Sequence, residues 1–492
     1  MSFKSKVKAC DLVIFGTKGD LSYRKLFPSL YRLEKLNLIH PETKIIGVSR
    51  INWDITNYIK SVKNSLKIFI KEQIDEKLWE KFSKRLKFCK LDINKIKYFK
   101  LLSNKLNQNK RITINYFAMP PKTFGSICQG LGKAKLNNKK SYVVIEKPIG
   151  TNLSSYKIIN DQVSKYFNNK QIYRIDHYLC KKVIINLLAF RFSNSIFIST
   201  WNNRYIDHVQ ITISEDIGIE NRWNYFDKVG QMRDMVQSHM LQILTIIAMS
   251  PPRSLTNDLI RNEKIKILRS LRPINNSNIK DTTVRGQYTS GFIKGKKVPG
   301  YIKEKNANKN SCTETFVSIR VNIDNLIWSG VPFYLRTGKR LKTKYSEIVI
   351  YFKKPSMSLF KEHFKKLNSN NKLTIRIQPN EEISIQLLNN ITGLDNIYQL
   401  YYNELNSKLN FNKNKSYIEN DYDRIFLGLM KEMQNFFVSK EEIEASWKWI
   451  DSIINAWSIE NDKPQLYKAG TWGPISSFNM IKKDNRFWNK YK

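Results

Sequence analysis

The sequence predicts an α/β N-terminal domain built on a doubly wound parallel sheet, residues 1–175, and a larger α+β domain with a mostly antiparallel sheet, residues 176–492. Three observations predict it. Short apolar runs at residues 11–15, 44–48, 87–91, 112–117 and 142–145 alternate with helical stretches, the rhythm of parallel strands joined by crossover helices. A glycine turn follows the first run at once and leads into a helix with Leu26, Leu30 and Leu33 at i, i+4 and i+7. Beyond residue 175 the pattern changes to strand-like runs at 197–201, 208–213, 315–321, 348–352, 373–377 and 383–387, with helix-like stretches reaching residue 271.

A chain of 492 residues, 41% hydrophobic and with 24 Tyr, 26 Phe and 10 Trp, can bury two or three proper cores, which excludes global disorder. No apolar run reaches the roughly 18 residues of a membrane span, and the N-terminus lacks a signal-peptide pattern, so a cytoplasmic protein is expected. Five scattered cysteines and five histidines never show CxxC or HxxxH spacing, so neither a disulfide framework nor a metal site is expected. The net charge of +42 would suit a polyanion partner, but the lysines are spread along the whole chain among abundant Asn and Ile. All three residues use A- and T-rich codons, and no nucleic-acid recognition module is present, so biased composition accounts for the charge and no specific nucleic-acid partner is expected. Asn- and Lys-rich patches at 368–372 and 406–415 read as loops.

The turn consists of Gly16, Thr17, Lys18, Gly19, Asp20 and Leu21. Glycines let the backbone approach a pyrophosphate, and the following helix offers unpaired N–H groups and a positive dipole end to that anion. After the second strand stands Arg50, not an acidic residue, which suits the extra ribose phosphate of NADP better than the free hydroxyl of NAD. In a parallel sheet ligands gather at the carboxyl ends of the strands. Asp92, the turn at 118–121 and the stretch Glu146, Lys147, Pro148, Ile149, Gly150 all fall there, with Pro148 restricting Lys147 to extended geometry.

Residues 174–182 pack a carboxylate, an imidazole, a phenol and two ammonium groups close together: Asp176, His177, Tyr178, Lys181 and Lys182. If a helix begins near Asp176, His177 and Lys181 stand at i and i+4 and can share one anionic group such as a sugar phosphate. Taken alone, the segment fits a solvated basic turn equally well. Further on, Gly230, Gln231, Met232, Arg233, Asp234, Met235, Val236, Gln237, Ser238 and His239 place an imidazole, the usual base for a hydroxyl proton, before an apolar helix.

Together these segments resemble the glucose-6-phosphate dehydrogenase family. Gly-x-x-Gly-Asp-Leu after the first strand, Glu-Lys-Pro-x-Gly, Arg-Ile-Asp-His-Tyr-Leu at 174–179 and Arg-Asp-Met-x-Gln-x-His-x-x-Gln occur in the family's order. The Glu-Lys-Pro motif also recurs in glucose-fructose and inositol dehydrogenases. The resemblance implies a Rossmann-like NADP-binding domain and a substrate and dimerisation domain whose open sheet face is covered by a second subunit. It implies oxidation of glucose 6-phosphate to 6-phosphogluconolactone with reduction of NADP, the entry to the oxidative pentose phosphate route. By correspondence, His239 is the proton acceptor and Asp176 its carboxylate partner. His177, Tyr178 and Lys181 take the sugar phosphate, Glu215, Asp234 and Lys339 lie near the sugar hydroxyls with Lys344 close by, and Lys147 lies between cofactor and sugar. His40, His208 and His363 match no functional position. Cys180 and Lys182 stand where the family has Gly and Glu, and Ser238 where Asn is usual; if position 180 requires a positive φ, the cysteine strains the backbone by about 1 kcal/mol or more.

Overall fold

The first strand, β1 (Cys10–Phe15), is buried along its whole length, as expected of a central parallel strand covered on both faces. The structure is a computed structural model that describes residues 7–220, 222–355, 370–391, 399–408, 418 and 420–490. Around β1 run β2 (Lys44–Ser49), β3 (Leu86–Lys90), β4 (Ile112–Phe117), β5 (Ser141–Ile145) and β6 (Ile172–Ile175), all in parallel register. A seventh strand, β17 (Phe437–Val438), adds to β6 antiparallel and comes from far down the chain. The order is β17-β6-β5-β4-β1-β2-β3, so the winding reverses between β1 and β4. A crevice opens at such a reversal, above the carboxyl ends of the strands.

Leu26, Leu30 and Leu33 are fully buried, as their spacing predicts, although the chain enters the helix Phe27–Lys35 through a π turn at Ser22–Leu26. Gly47 in β2 makes room for a ring: a Cβ there would lie 2.5 Å from Tyr58, which instead packs against Phe88 with centroids 5.3 Å apart.

The chain divides into two compact units that are not contiguous in sequence. One takes Met1–Cys180, Ser254–Arg261 and Asn412–Glu444; the other takes Lys181–Arg253, Asn262–Phe411 and Ala445–Lys492. This differs from a single cut at residue 175, and the reason is physical. The late helix Asp421–Met430 buries Ile425, Phe426, Leu429 and Met430 in the core of the nucleotide sheet, and Arg32 forks onto Asp423 with contacts of 3.0 and 2.8 Å. Phe437 of β17 meets Tyr173 edge-on at 4.8 Å.

The second unit holds β7 (Ile206–Ser214), β8 (Thr283–Thr289), β11 (Phe316–Val321), β12 (Phe333–Gly338), β13 (Tyr345–Phe352), β14 (Lys372–Gln378), β15 (Glu382–Ile391), β16 (Gln399–Lys408) and β18 (Gln465–Lys468). They form one sheet in the order β16-β15-β14-β13-β7-β12-β11-β8-β18. Its pairs are antiparallel except β7 with β12 and β8 with β18. A separate hairpin joins β9 (Gly291–Ile293) to β10 (Lys296–Val298).

Two expectations change here. Residues 197–201 are not a strand: Ser195–Thr200 is helical, because Phe197 stacks on Phe190 at 4.4 Å and Trp201 donates its indole N–H to the Ile247 carbonyl at 2.8 Å. Tertiary packing overrides the β preference of this aromatic and β-branched run. Residues 406–408 belong to β16 rather than a loop, and 409–415 lie outside the described residues, as do 368 and 369.

If the late segment is part of the first unit, Phe437→Ala should destabilise that unit by about 3–5 kcal/mol. Urea unfolding followed by dinucleotide protection should show the midpoint falling.

Candidate active site

Gly16 sits at φ +86°, and a Cβ there would lie 2.3 Å from the Ala118 carbonyl oxygen, so only glycine fits. The turn is held by N–H donations from Gly16 and Thr17 to the Val48 carbonyl, at 3.2 and 3.3 Å, and from Gly19 to the Gly16 carbonyl at 2.8 Å. Ser22 donates its hydroxyl to that same Gly16 oxygen at 3.0 Å. Above the turn lies a cleft of about 780 Å³ whose lining includes Gly16, Lys18, Gly19, Arg50, Met119 and Thr123. Four of the expected cofactor residues therefore share one crevice at the winding reversal.

Others of that set face elsewhere. The Thr17 hydroxyl is buried and donates to Tyr58 at 3.3 Å, Asp20 is exposed and pairs with Arg24 at 2.6 Å, and Leu21 lies in the first helical turn. Asp92 accepts the Asn94 N–H at 3.1 Å, shaping the turn that brings Ile93 and Asn94 to the cleft wall. The close backbone approach and the three cations Lys18, Arg50 and Lys122 along the cleft suit a phosphorylated dinucleotide.

Lys147 follows β5 and precedes a cis proline bond. Its neighbour Glu146 accepts hydrogen bonds from Tyr116 and, at 3.2 Å, from Tyr422 of the late helix. Burial pushes the Glu146 carboxyl up, against the opposing pull of the two tyrosines and Lys147, while Asp176 adds to the rise. This tyrosine pair was not legible beforehand, because Tyr422 is remote in sequence.

Asp176 directly follows β6 and accepts the Tyr178 N–H on its carboxylate at 3.0 Å and the Leu179 N–H on its carbonyl at 3.1 Å. That capping tightens His177–Cys180 into a 3₁₀ turn, after which Lys181 is extended, with φ −69° and ψ 137°, before the helix Lys182–Ser193. The expected helix through His177 and Lys181 is therefore absent, and the i, i+4 argument for that pair falls. Cys180 does not carry a positive φ and is fully buried in the first unit's core, so the anticipated backbone strain is absent. Burial pushes its thiol up, away from reactivity.

Within the second unit three expected sugar-binding residues come together. Lys339, almost wholly buried, places Nζ 2.6 Å from Glu215 Oε2 and 3.9 Å from Asp234 Oδ2, and 5.0 Å from the centre of the Phe226 ring. Its backbone is fixed by its N–H donating to the Thr315 carbonyl at 2.9 Å and its own carbonyl accepting from Tyr467 at 2.7 Å. Lys344 is exposed in the turn before β13. Gly230 at φ +69° turns the chain over Glu314, which accepts the Met232 N–H at 3.0 Å, and the π-helical stretch Met232–Met240 then carries Asp234 and a buried His239. The support from Glu314 and Phe226 has no local sequence signal. His208 stacks on Tyr351 at 4.3 Å and pairs with Asp207, a packing role, and His363 lies outside the described residues.

A reversed parallel sheet with a glycine turn and cations at its switch point defines a Rossmann-type dinucleotide-binding protein, here with a second unit carrying a buried lysine between carboxylates. Family models described as the glucose-6-phosphate dehydrogenase NAD binding domain and C-terminal domain match residues 13–186 and 188–489. A glucose-6-phosphate 1-dehydrogenase of Dickeya dadantii is 56% identical over 490 residues, covering 100% of both chains. One of Buchnera aphidicola from Schizaphis graminum is 55% identical, covering 98% of this chain and 99% of its own. Among solved structures, a glucose-6-phosphate dehydrogenase in complex with its substrate glucose-6-phosphate aligns with TM-score 0.89 and 28% identity over 100% of each chain. The chain belongs to the glucose-6-phosphate dehydrogenase family.

Gly16→Ala should push the Ala118 carbonyl aside and abolish measurable dinucleotide binding by calorimetry. For Glu146 the sign of the pH effect follows from its raised pKa. The native state holds that proton more tightly than the unfolded chain, so stability from the protonated carboxyl is full at low pH and lost as pH climbs through the raised value. Glu146→Gln should therefore gain stability relative to the parent as pH rises from 4 to 8, measured by denaturant midpoints; a constant difference would refute it.

Proposed function

We propose that this chain is an oxidoreductase that oxidises glucose 6-phosphate at its anomeric carbon to 6-phosphogluconolactone with reduction of NADP. The observation that carries the reading is the family match, unbroken from residue 13 to 489 apart from one residue, with a relative 56% identical end to end. The bound nicotinamide supplies hydride acceptance. Gly16 and Gly19 would hold the dinucleotide's pyrophosphate in the cleft they line, and Lys18 and Arg50, which line the same cleft, would supply the charge that favours a ribose phosphate. His239 takes the proton of the anomeric hydroxyl on a ring nitrogen, oriented by the carboxylate of Asp176. His177, Tyr178 and Lys181 hold the sugar phosphate, and Lys147 stands between cofactor and sugar.

Lys339, Glu215 and Asp234 bind sugar hydroxyls. Support for this comes from the ion pair itself: a buried ammonium shared by two carboxylates is a rigid array of donors and acceptors, which suits several adjacent hydroxyls. Lys344 adds positive charge at the rim. Residues 1–175, completed by the late helix Asp421–Met430 and β17, form the nucleotide-binding domain, and most of the remainder of 176–492 forms the substrate and dimerisation domain, with a second subunit covering the open sheet face. No described helix is long and apolar enough to cross a membrane. We place the enzyme in the cytoplasm, at the entry to the oxidative pentose phosphate route.

Absorbance of reduced nicotinamide should rise with glucose 6-phosphate and NADP, and far more slowly with plain glucose. Equal rates on the two sugars would favour a dehydrogenase of unphosphorylated sugars. His239→Asn should lower kcat roughly a hundredfold to ten-thousandfold with little change in KM. Lys181→Ala should raise KM for the sugar phosphate roughly tenfold or more while leaving NADP binding intact. Opposite outcomes would reassign the two roles.

A further inference from the structure

Trp53 follows Arg50 by three residues, in the loop that leaves β2, and packs on Phe88 of β3 with ring centroids 6.1 Å apart. Its indole face receives Lys18 Nζ at 5.5 Å from the ring centre, within the range where a cation is attracted to an aromatic quadrupole. Lys18 lines the dinucleotide cleft and Trp53 does not; Trp53 instead lines a shallower neighbouring depression of about 390 Å³ with Tyr23, Asn57 and Lys60. The indole thus stands behind the lysine rather than against the ligand.

Acidic competitors for Lys18 are already engaged. Asp54 caps the helix Ile55–Phe69 by accepting the Asn57 N–H at 2.6 Å, and Asp20 holds Arg24. Gly16 and Gly19 fix the backbone of the turn but leave the long Lys18 side chain free to choose among many rotamers. Contact with a semi-buried, ring-packed indole selects among them before any ligand arrives, and such preorganisation reduces the entropy lost on binding.

We infer that Trp53 is a positioning residue for cofactor choice: it holds Lys18 over the cleft so that the ammonium joins Arg50 in receiving the ribose phosphate that distinguishes NADP from NAD. The inference rests on the reading of this cleft as an NADP site. Its effect falls on discrimination between the two dinucleotides, since the phosphate is the group that only one of them carries.

Binding of NADP and of NAD is measured by calorimetry without sugar, on the full chain, for the parent, Trp53→Ala, Trp53→Phe, Lys18→Ala and the double variant Lys18→Ala with Trp53→Ala. Trp53→Ala should raise the Kd for NADP roughly two- to fivefold and leave that for NAD unchanged. Trp53→Phe, which keeps an aromatic face, should recover most of the loss. The double variant should be no weaker than Lys18→Ala alone. Equal weakening of both dinucleotides, in either Trp53 variant, would mark a structural role and overturn the inference, as would additive losses in the double variant or no change in Trp53→Ala. A parent protein that binds neither dinucleotide would bring down the cofactor reading, and this inference with it.

Discussion

The nucleotide-binding unit depends on one close approach, that of the Gly16 backbone to the Ala118 carbonyl. These groups directly follow β1 and β4, the strands between which the winding reverses, so the gap between them sets how tightly the crevice floor closes. Because Gly16 has no side chain, its carbonyl can take both the Ser22 hydroxyl and the Gly19 N–H while its own N–H stays on Val48. The turn is thereby bound to β2, to the following helix and, by proximity, to β4. Everything that lines the crevice, including the Arg50 end of β2 and the 118–121 turn, is placed by that knot.

In the second unit the organising element is a buried charge rather than a bare backbone. An ammonium as deeply covered as that of Lys339 is tolerable only with partners in contact, and Glu215 at 2.6 Å supplies one. The strands enforce the pairing: β12 runs parallel to β7 in register, with Gly338 opposite Ser214, so Lys339 and Glu215 leave adjacent strands at the same level. Their neighbourhood is completed by Asp234, delivered by the glycine turn over Glu314.

How much of this could be read from sequence depends on whether the signal was local. The first five parallel strands, the leucine face of the first helix and the glycine turn all have short periods or fixed spacings, and each appears where those patterns place it; β6 was not anticipated as a strand. The family motifs located Glu215, Asp234 and Lys339, which the fold does bring together. Local patterns failed where distant residues decide the outcome. The strand-like run at 197–201 falls in the helix Ser195–Thr200 and its end because Phe190 and the 247 carbonyl lie where they do. His177 and Lys181 lost their helical spacing to an aspartate cap that tightens the turn. β12 escaped notice as a strand because both its faces are buried, so it has no alternation to detect; its Arg336 is held between Trp472 and Trp488. Tyr422 and Phe437 contribute to the first unit from a region whose sequence carries no mark of that destination.

That last arrangement has a consequence for biosynthesis. A nascent chain that has released all six parallel strands still lacks the helix at Asp421–Met430 and β17, so a greasy flank that includes Tyr116, which packs on Phe426, and Tyr173, which packs on Phe437, awaits its partners while most of the second unit is being translated. The nucleotide-binding unit can therefore be completed only after residues 421–437 have left the ribosome.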